Sequence, residues 1–155
     1  MTKPTHAKQY ILANPPTDLP ILDGPNATFK LETVDLPALQ DDQVLLKTLH
    51  VSHDPAQRGW IDKNADPDRL YLPPVQAGEV MRSRNVCEVL ESKTADYKPG
   101  DIVLAGSGWS DFGVFGKSKV DRKLDKVGGL NYTHYLGSLG MTGETAVAPL
   151  WNGTK

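Results

Sequence analysis

Residues 41–55 read DDQVLLKTLHVSHDP. Val44, Leu46 and Leu49 sit among polar residues as in a half-buried strand. Asp54-Pro55 then stops the strand, because Asp bonds to nearby backbone and Pro fixes the next φ. The run also carries Ser52, His53 and Asp54, the residue types of a hydrolase triad. A triad needs three converging side chains. Consecutive residues of an extended chain point to alternating faces, so Ser52 and Asp54 share a face and His53 leaves it. The stretch is therefore a strand ending in a turn, and the turn delivers Arg58 and Trp60.

The same grammar extends on both sides. KQYILAN (8–14) reads as a strand closed by Pro15-Pro16. TFKLETVDL (28–36) alternates around Phe29, Leu31 and Val34. Residues 61–74, IDKNADPDRLYLPP, are polar and proline-rich and read as an exposed excursion. EVMRSRNVCEVLES (79–92) is a long strand bent near Ser83–Asn85. KPGD (98–101) is a turn, DIVLAGSGW leaves it as a strand, and Ser110–Val120 returns as the next. Fourteen glycines and twelve prolines punctuate these runs. Short strands with turn signals at this frequency predict a mainly β fold with short helices, either a barrel or a sandwich.

The 155 residues suit one domain, and a chain of that size buries roughly 68–70% of its unfolded surface. A net charge of −2 and the absence of a Lys/Arg block argue against nucleic acid as a partner. A single cysteine, Cys87, precludes an internal disulfide and fits a reducing compartment. With Val86 and Val89 beside it, Cys87 reads as a buried strand residue. No apolar run is long enough to span a membrane and no secretory signal is visible, so a cytoplasmic location is expected. The N-x-T sequons at Asn26, Asn131 and Asn152 then count as chance matches.

From Asn131 the pattern changes to YTHYLGSLGMTGETAVAPLWNGTK. Thr142 reads as the cap of a short helix with Glu144 in its first turn, and Pro149 argues against a long one. Gly137, Gly140 and Gly143 have the wrong spacing for a dinucleotide fingerprint and lack a preceding strand.

Four stretches, DPAQRGWI (54–61), PPVQAGEV (73–80), DYKPGDIVLAGSGW (96–109) and YLGSLGMTGETA (135–146), carry a family likeness. In this order and spacing they resemble the N-terminal half of the zinc-independent medium-chain dehydrogenase/reductases. The branch is that of NADPH-dependent enone and alkenal double-bond reductases, which includes the prostaglandin reductases. The resemblance implies a GroES-like, partly open β-barrel over residues 1–130. It makes residues 131–155 the start of a connection toward a dinucleotide-binding Rossmann domain that this sequence does not contain. The chain is then either part of a longer polypeptide or a natural half-length protein.

The same resemblance implies chemistry. Zinc-binding members of the wider superfamily place a Cys near the position of HVSHDP and a His in Gly-His-Glu. Here no Cys lies near 50–55 and the later motif reads Ala77-Gly78-Glu79, so no metal is expected, and His50 and His53 remain polar strand or loop residues. The expected reaction is hydride transfer from NADPH to a C=C bond conjugated to a carbonyl, with donors aimed at the developing enolate oxygen. Met141, Thr142, Thr145 and Arg58 are implied on the cofactor side. Asp54, Ala56, Trp60, Glu79 and Trp109 are implied around the substrate. Ala56 stands where relatives often carry an aromatic, and Phe112 where they often carry Tyr. A chain without the phosphate cradle is not expected to bind NADPH tightly. Expected partners are a small-molecule substrate and either further copies of the chain or a C-terminal Rossmann half. A stand-alone barrel that binds a small apolar molecule, or catalyses a cofactor-free step, is the alternative.

Overall fold

The computed structural model describes residues 3–152, and side chains as far as residue 148. Among these residues, seven strands and two α-helices are joined by short 3-10 segments. Strands β1 (His6–Leu12) and β2 (Phe29–Asp35) form a two-stranded antiparallel sheet. The larger sheet has the order β6 (Phe112–Gly116), β3 (Gln43–Val51), β4 (Asn85–Ser92), β5 (Ile102–Ala105), β7 (Val120–Lys123). All of its pairings are antiparallel. The fold is mainly β, as the turn frequency predicts, and among the described residues neither sheet closes into a full barrel.

One face of the large sheet buries Val44, Leu46, Cys87, Val89, Val103, Ala105 and Val120 as a single cluster. Each such side chain removed from water contributes roughly 1.5–3 kcal/mol, less for the smallest. A second cluster of Leu12, Trp60, Ile61, Val75 and Met81 sits under the small sheet. Trp60 comes from α1 (Ala56–Trp60), a single helical turn where the sequence suggested only a reverse turn. Ile61 is likewise buried, although the excursion it opens is largely exposed.

Two segments leave the large sheet to hold the small one. Residues 79–84 do not extend β4. Instead Met81 N–H donates to Tyr10 O, Leu12 N–H donates to Glu79 O, and Val80 bridges Ile11. The bend expected near Ser83–Asn85 is this crossover. Residues 106–111 behave the same way and shorten β5 to four residues. Trp109 N–H donates to Met81 O, and Tyr10 N–H donates to Trp109 O, each at 2.8 Å. Gly108 turns this corner at φ +69, and a Cβ there would lie 2.9 Å from Met81 O. Only glycine fits both the dihedral and the space.

Helix α2 (Met141–Asn152) differs from expectation at both ends. It starts before Thr142, which lies inside the first turn and is not the cap. It also continues through Pro149, because a proline removes one backbone donor without forbidding helical dihedrals. Among the described residues no helix is long and apolar enough to cross a membrane.

Candidate functional site

Strand β3 ends beside the crossover 106–111, and its last residues form a wall shared by two concavities. The turn after it is fixed by a buried amide. Gln57, 6% exposed, donates from Nε2 to the carbonyls of Ser52 (3.2 Å) and Arg82 (3.0 Å), and its Oε1 accepts the Asp54 N–H (3.1 Å). Ser52 Oγ donates to Asp54 Oδ2 at 2.8 Å. His53 leaves that face and packs on Trp109, with ring centroids 5.1 Å apart. Ser52 and Asp54 therefore share a face and His53 leaves it, as strand geometry requires.

Trp109 is held from below by a buried polar network. Asn85, fully buried, donates from Nδ2 to Ser107 Oγ (2.7 Å) and to Gly108 O (2.6 Å), and its Oδ1 accepts from Ser83 Oγ (2.8 Å). Cys87 Sγ lies 3.4 Å from Ser107 Oγ. Burial pushes the Cys87 thiol above its ordinary pKa, so it is a packed residue and not a nucleophile. On the outer side Trp109 meets Phe29 at 4.9 Å and Tyr10 edge-on at 6.4 Å. Its indole N–H is buried without a protein acceptor.

These aromatics line a groove of about 760 Å³. Tyr10, Phe29, Leu31, Leu49, Val51 and Trp109 form its apolar wall, and Lys8, Thr48, His53, Ser110 and Asp111 supply polar atoms. The volume and the ratio of apolar to polar groups are those of a small-molecule site. Behind the same strand end lies a cleft of about 690 Å³, where Ser52, His53, Asp54, Thr133, Leu136 and Thr142 converge. Leu49, Val51 and His53 belong to both.

The residues implied from sequence are dispersed over the fold. Trp109 lines the groove, and Asp54 and Thr142 line the cleft. Met141 joins Ser52, Asp54 and Thr142 around a small adjoining cavity. Thr145 is exposed and donates its hydroxyl to Met141 O at 2.7 Å, and Arg58 pairs with Asp62 at 3.0 Å. Trp60 is buried in the second core cluster with Ala56 packed on it. Glu79 lies on a third concavity and accepts the Gln76 N–H, away from Trp109. Gln57, Asn85 and His53 were not singled out as site residues by the sequence. Asn85 alone left a signal, an amide inside the apolar run NVCEVL, which must find partners when buried.

A domain-family model described as the N-terminal domain of oxidoreductase matches residues 8–122. This chain belongs to that family. The domain is 38% identical to the Saccharomyces cerevisiae protein named as membrane protein YML131W over 90% of this chain and 40% of that one. It is 35% identical to the NADPH-dependent curcumin reductase of Escherichia coli over 90% of this chain and 37% of that one. The crystal structure of CurA from Vibrio vulnificus superposes with a TM-score of 0.77 at 31% identity, covering 94% of this domain and 40% of that chain. The NADPH complex of the same CurA gives a TM-score of 0.75. The domain thus spans about two-fifths of the length of these relatives.

The residues present fit one end of such a cofactor. Hydroxyls and a carboxylate in the cleft suit an uncharged carboxamide and ribose, and among the described residues no Lys or Arg lines it. Gly140 and Gly143 do not form an open phosphate cradle, because a Cβ at either would collide with the carbonyls of Tyr135 and Ser138. They serve the chain's own tight turn into α2. Among the described residues no group of three or more His, Cys, Asp or Glu side chains could hold a metal.

Proposed function

We propose that this domain is the substrate-binding half of an NADPH-dependent oxidoreductase that reduces the C=C bond of an α,β-unsaturated carbonyl compound. The observation that carries the reading is the strand end shared by an apolar groove and a polar cleft. A substrate lying along Trp109 and Leu49 would present its alkene where the two meet. Bound nicotinamide would supply a hydride, which adds to the β-carbon while a proton completes the α-carbon. The chain's own residues bind the apolar body, exclude water and orient the alkene. Asp54 and Thr142 would hold the nicotinamide end, with Met141 beside them, and Trp109 would form the substrate wall. The polypeptide carrying this sequence should consume NADPH with an aryl enone and release the saturated ketone in equal amount. Formation of the allylic alcohol instead would overturn the reading.

A second reading rests on the completeness of the groove, which described residues of this chain form alone. The domain would then bind a small apolar molecule without redox chemistry. Enone binding by this chain that is indifferent to NADPH, with no turnover by the polypeptide carrying it, would favour this reading. Leu19, Ile21, Leu22 and Leu31, each at least 50% exposed, would be covered by a further copy of the chain or by a C-terminal Rossmann half. A cytoplasmic location accompanies the proposal, as does a small molecule as the partner.

A further inference from the structure

Three polar side chains of the groove are already engaged. Ser110 Oγ donates to Phe112 O at 2.6 Å. Asp111 Oδ1 accepts the Lys8 N–H at 2.7 Å. Thr48 Oγ1 faces Ser107 Oγ at 3.5 Å and Cys87 Sγ at 3.9 Å. Lys8, Tyr10 and His53 keep exposed side-chain donors that no described residue takes up, and the Trp109 indole N–H is unpartnered but buried. Lys8 and Tyr10 line the groove alone, whereas His53 lines the groove and the cleft behind it. His53 is exposed, and its ring meets the Trp109 indole at 5.1 Å with the planes tilted by 60°. The turn beneath it is fixed by Gln57 and by the Ser52–Asp54 pair. A donor of that kind is oriented before a ligand arrives, which lowers the entropic cost of using it.

We infer that His53 is the residue that reads the ligand's carbonyl oxygen, donating an imidazole N–H hydrogen bond to it at the junction of groove and cleft. This rests on the enone reading of the groove and names a recognition residue within it. A carbonyl conjugated to an alkene at the junction lies within reach of this ring, while the apolar remainder extends along Trp109 and Phe29. The hydrogen bond would strengthen as charge grows on that oxygen, so the same contact serves binding and reaction. His53 therefore selects ligands that combine an apolar body with a carbonyl acceptor.

The test uses the 155-residue chain and two probes of matching shape, 4-phenylbut-3-en-2-one and its carbonyl-free alkene analogue. Affinities are measured by calorimetry, and the His53 ring nitrogens are followed by NMR. The wild type should prefer the enone, with a shift at one His53 nitrogen. His53→Leu should weaken the enone roughly 3- to 10-fold, the range for one neutral hydrogen bond, and leave the alkene unchanged. His53→Gln, which keeps an N–H donor, should recover most of the loss. Enone binding by His53→Leu equal to wild type would overturn the role of His53 and leave the groove intact. Binding of neither probe by the wild type would overturn the groove reading itself.

Discussion

Gly108 occupies a left-handed conformation at φ +69, with Met81 O 2.9 Å from where a Cβ would sit. The Gly108→Ala variant should lose about 1–3 kcal/mol, as a strained residue must shift the crossover that presents Trp109. Urea denaturation would report the loss, and a wild-type midpoint would refute it. Asn85 makes a complementary case. Asn85→Ala leaves Ser83 Oγ, Ser107 Oγ and Gly108 O without this partner in a fully buried site. Gly108 O keeps the Ser110 N–H and Ser107 Oγ keeps Cys87 Sγ, so the one orphaned buried group, Ser83 Oγ, sets an expected loss of roughly 1–3 kcal/mol in stability. Groove affinity measured at low denaturant should fall with it. At this scale the sequence was partly legible. It showed that Cys87 belongs inside and that His53 parts from Ser52 and Asp54. It did not show what Asn85 holds, because hydrogen-bond partners 20 and more residues away depend on sheet pairing.

The elements show a similar division. Residues 54–61 read as a turn carrying Trp60 and Arg58 toward a pocket. The chain instead makes one turn of helix, which rotates Trp60 inward onto Leu12, Val75 and Met81 and leaves Arg58 on Asp62. Trp60→Ala should therefore cost about 3–5 kcal/mol, the range for truncating a buried aromatic. Thermal unfolding would read the change. Trp109→Ala should act differently, because Trp109 is only half-buried and faces the groove. Its main effect should be lost affinity for an aryl ligand, seen by calorimetry. A Trp109 variant that binds such a ligand unchanged would remove Trp109 from the site. Strand periodicity located β2, β3 and the bend before β4. It overran β5, because Gly106–Asp111 is recruited by β1 through bonds to Tyr10 and Lys8.

For the molecule as a whole, one ion pair ties stability to acid. Asp101 is buried, with Lys123 Nζ at 2.6 Å and the Lys98 N–H on its other oxygen. The Lys123 hydrogen bond, outweighing desolvation, lowers the Asp101 carboxyl below the usual carboxylate range. A folded-state pKa below the unfolded one contributes stability that is present above the unfolded value, roughly pH 4. That stability is lost as pH falls through the folded value. The wild type should thus exceed Asp101→Asn in urea midpoint near neutrality, and the gap should narrow as pH falls below the ordinary carboxylate range. A gap independent of pH would refute the coupling. A second expectation concerns the cofactor. NADPH should bind this 155-residue chain weakly, since among the described residues the cleft offers no Lys, Arg or glycine cradle for phosphates. Tight binding in a calorimetric titration would contradict the proposed division of labour.

The sequence by itself determined the mainly β class, the turns at Asp54-Pro55 and Lys98–Asp101, the buried cysteine, and the family through four motifs in register. These are local properties: alternation of side chains, fixed φ at proline, and residues close along the chain. Only the tertiary structure decided which aromatic lines the groove. Trp60 and Trp109 look alike in sequence, but packing turns one into the core and sets the other beside His53. That outcome depends on two crossover segments that abandon the large sheet for β1, and hydrogen bonds between segments 67 to 103 residues apart leave no local trace.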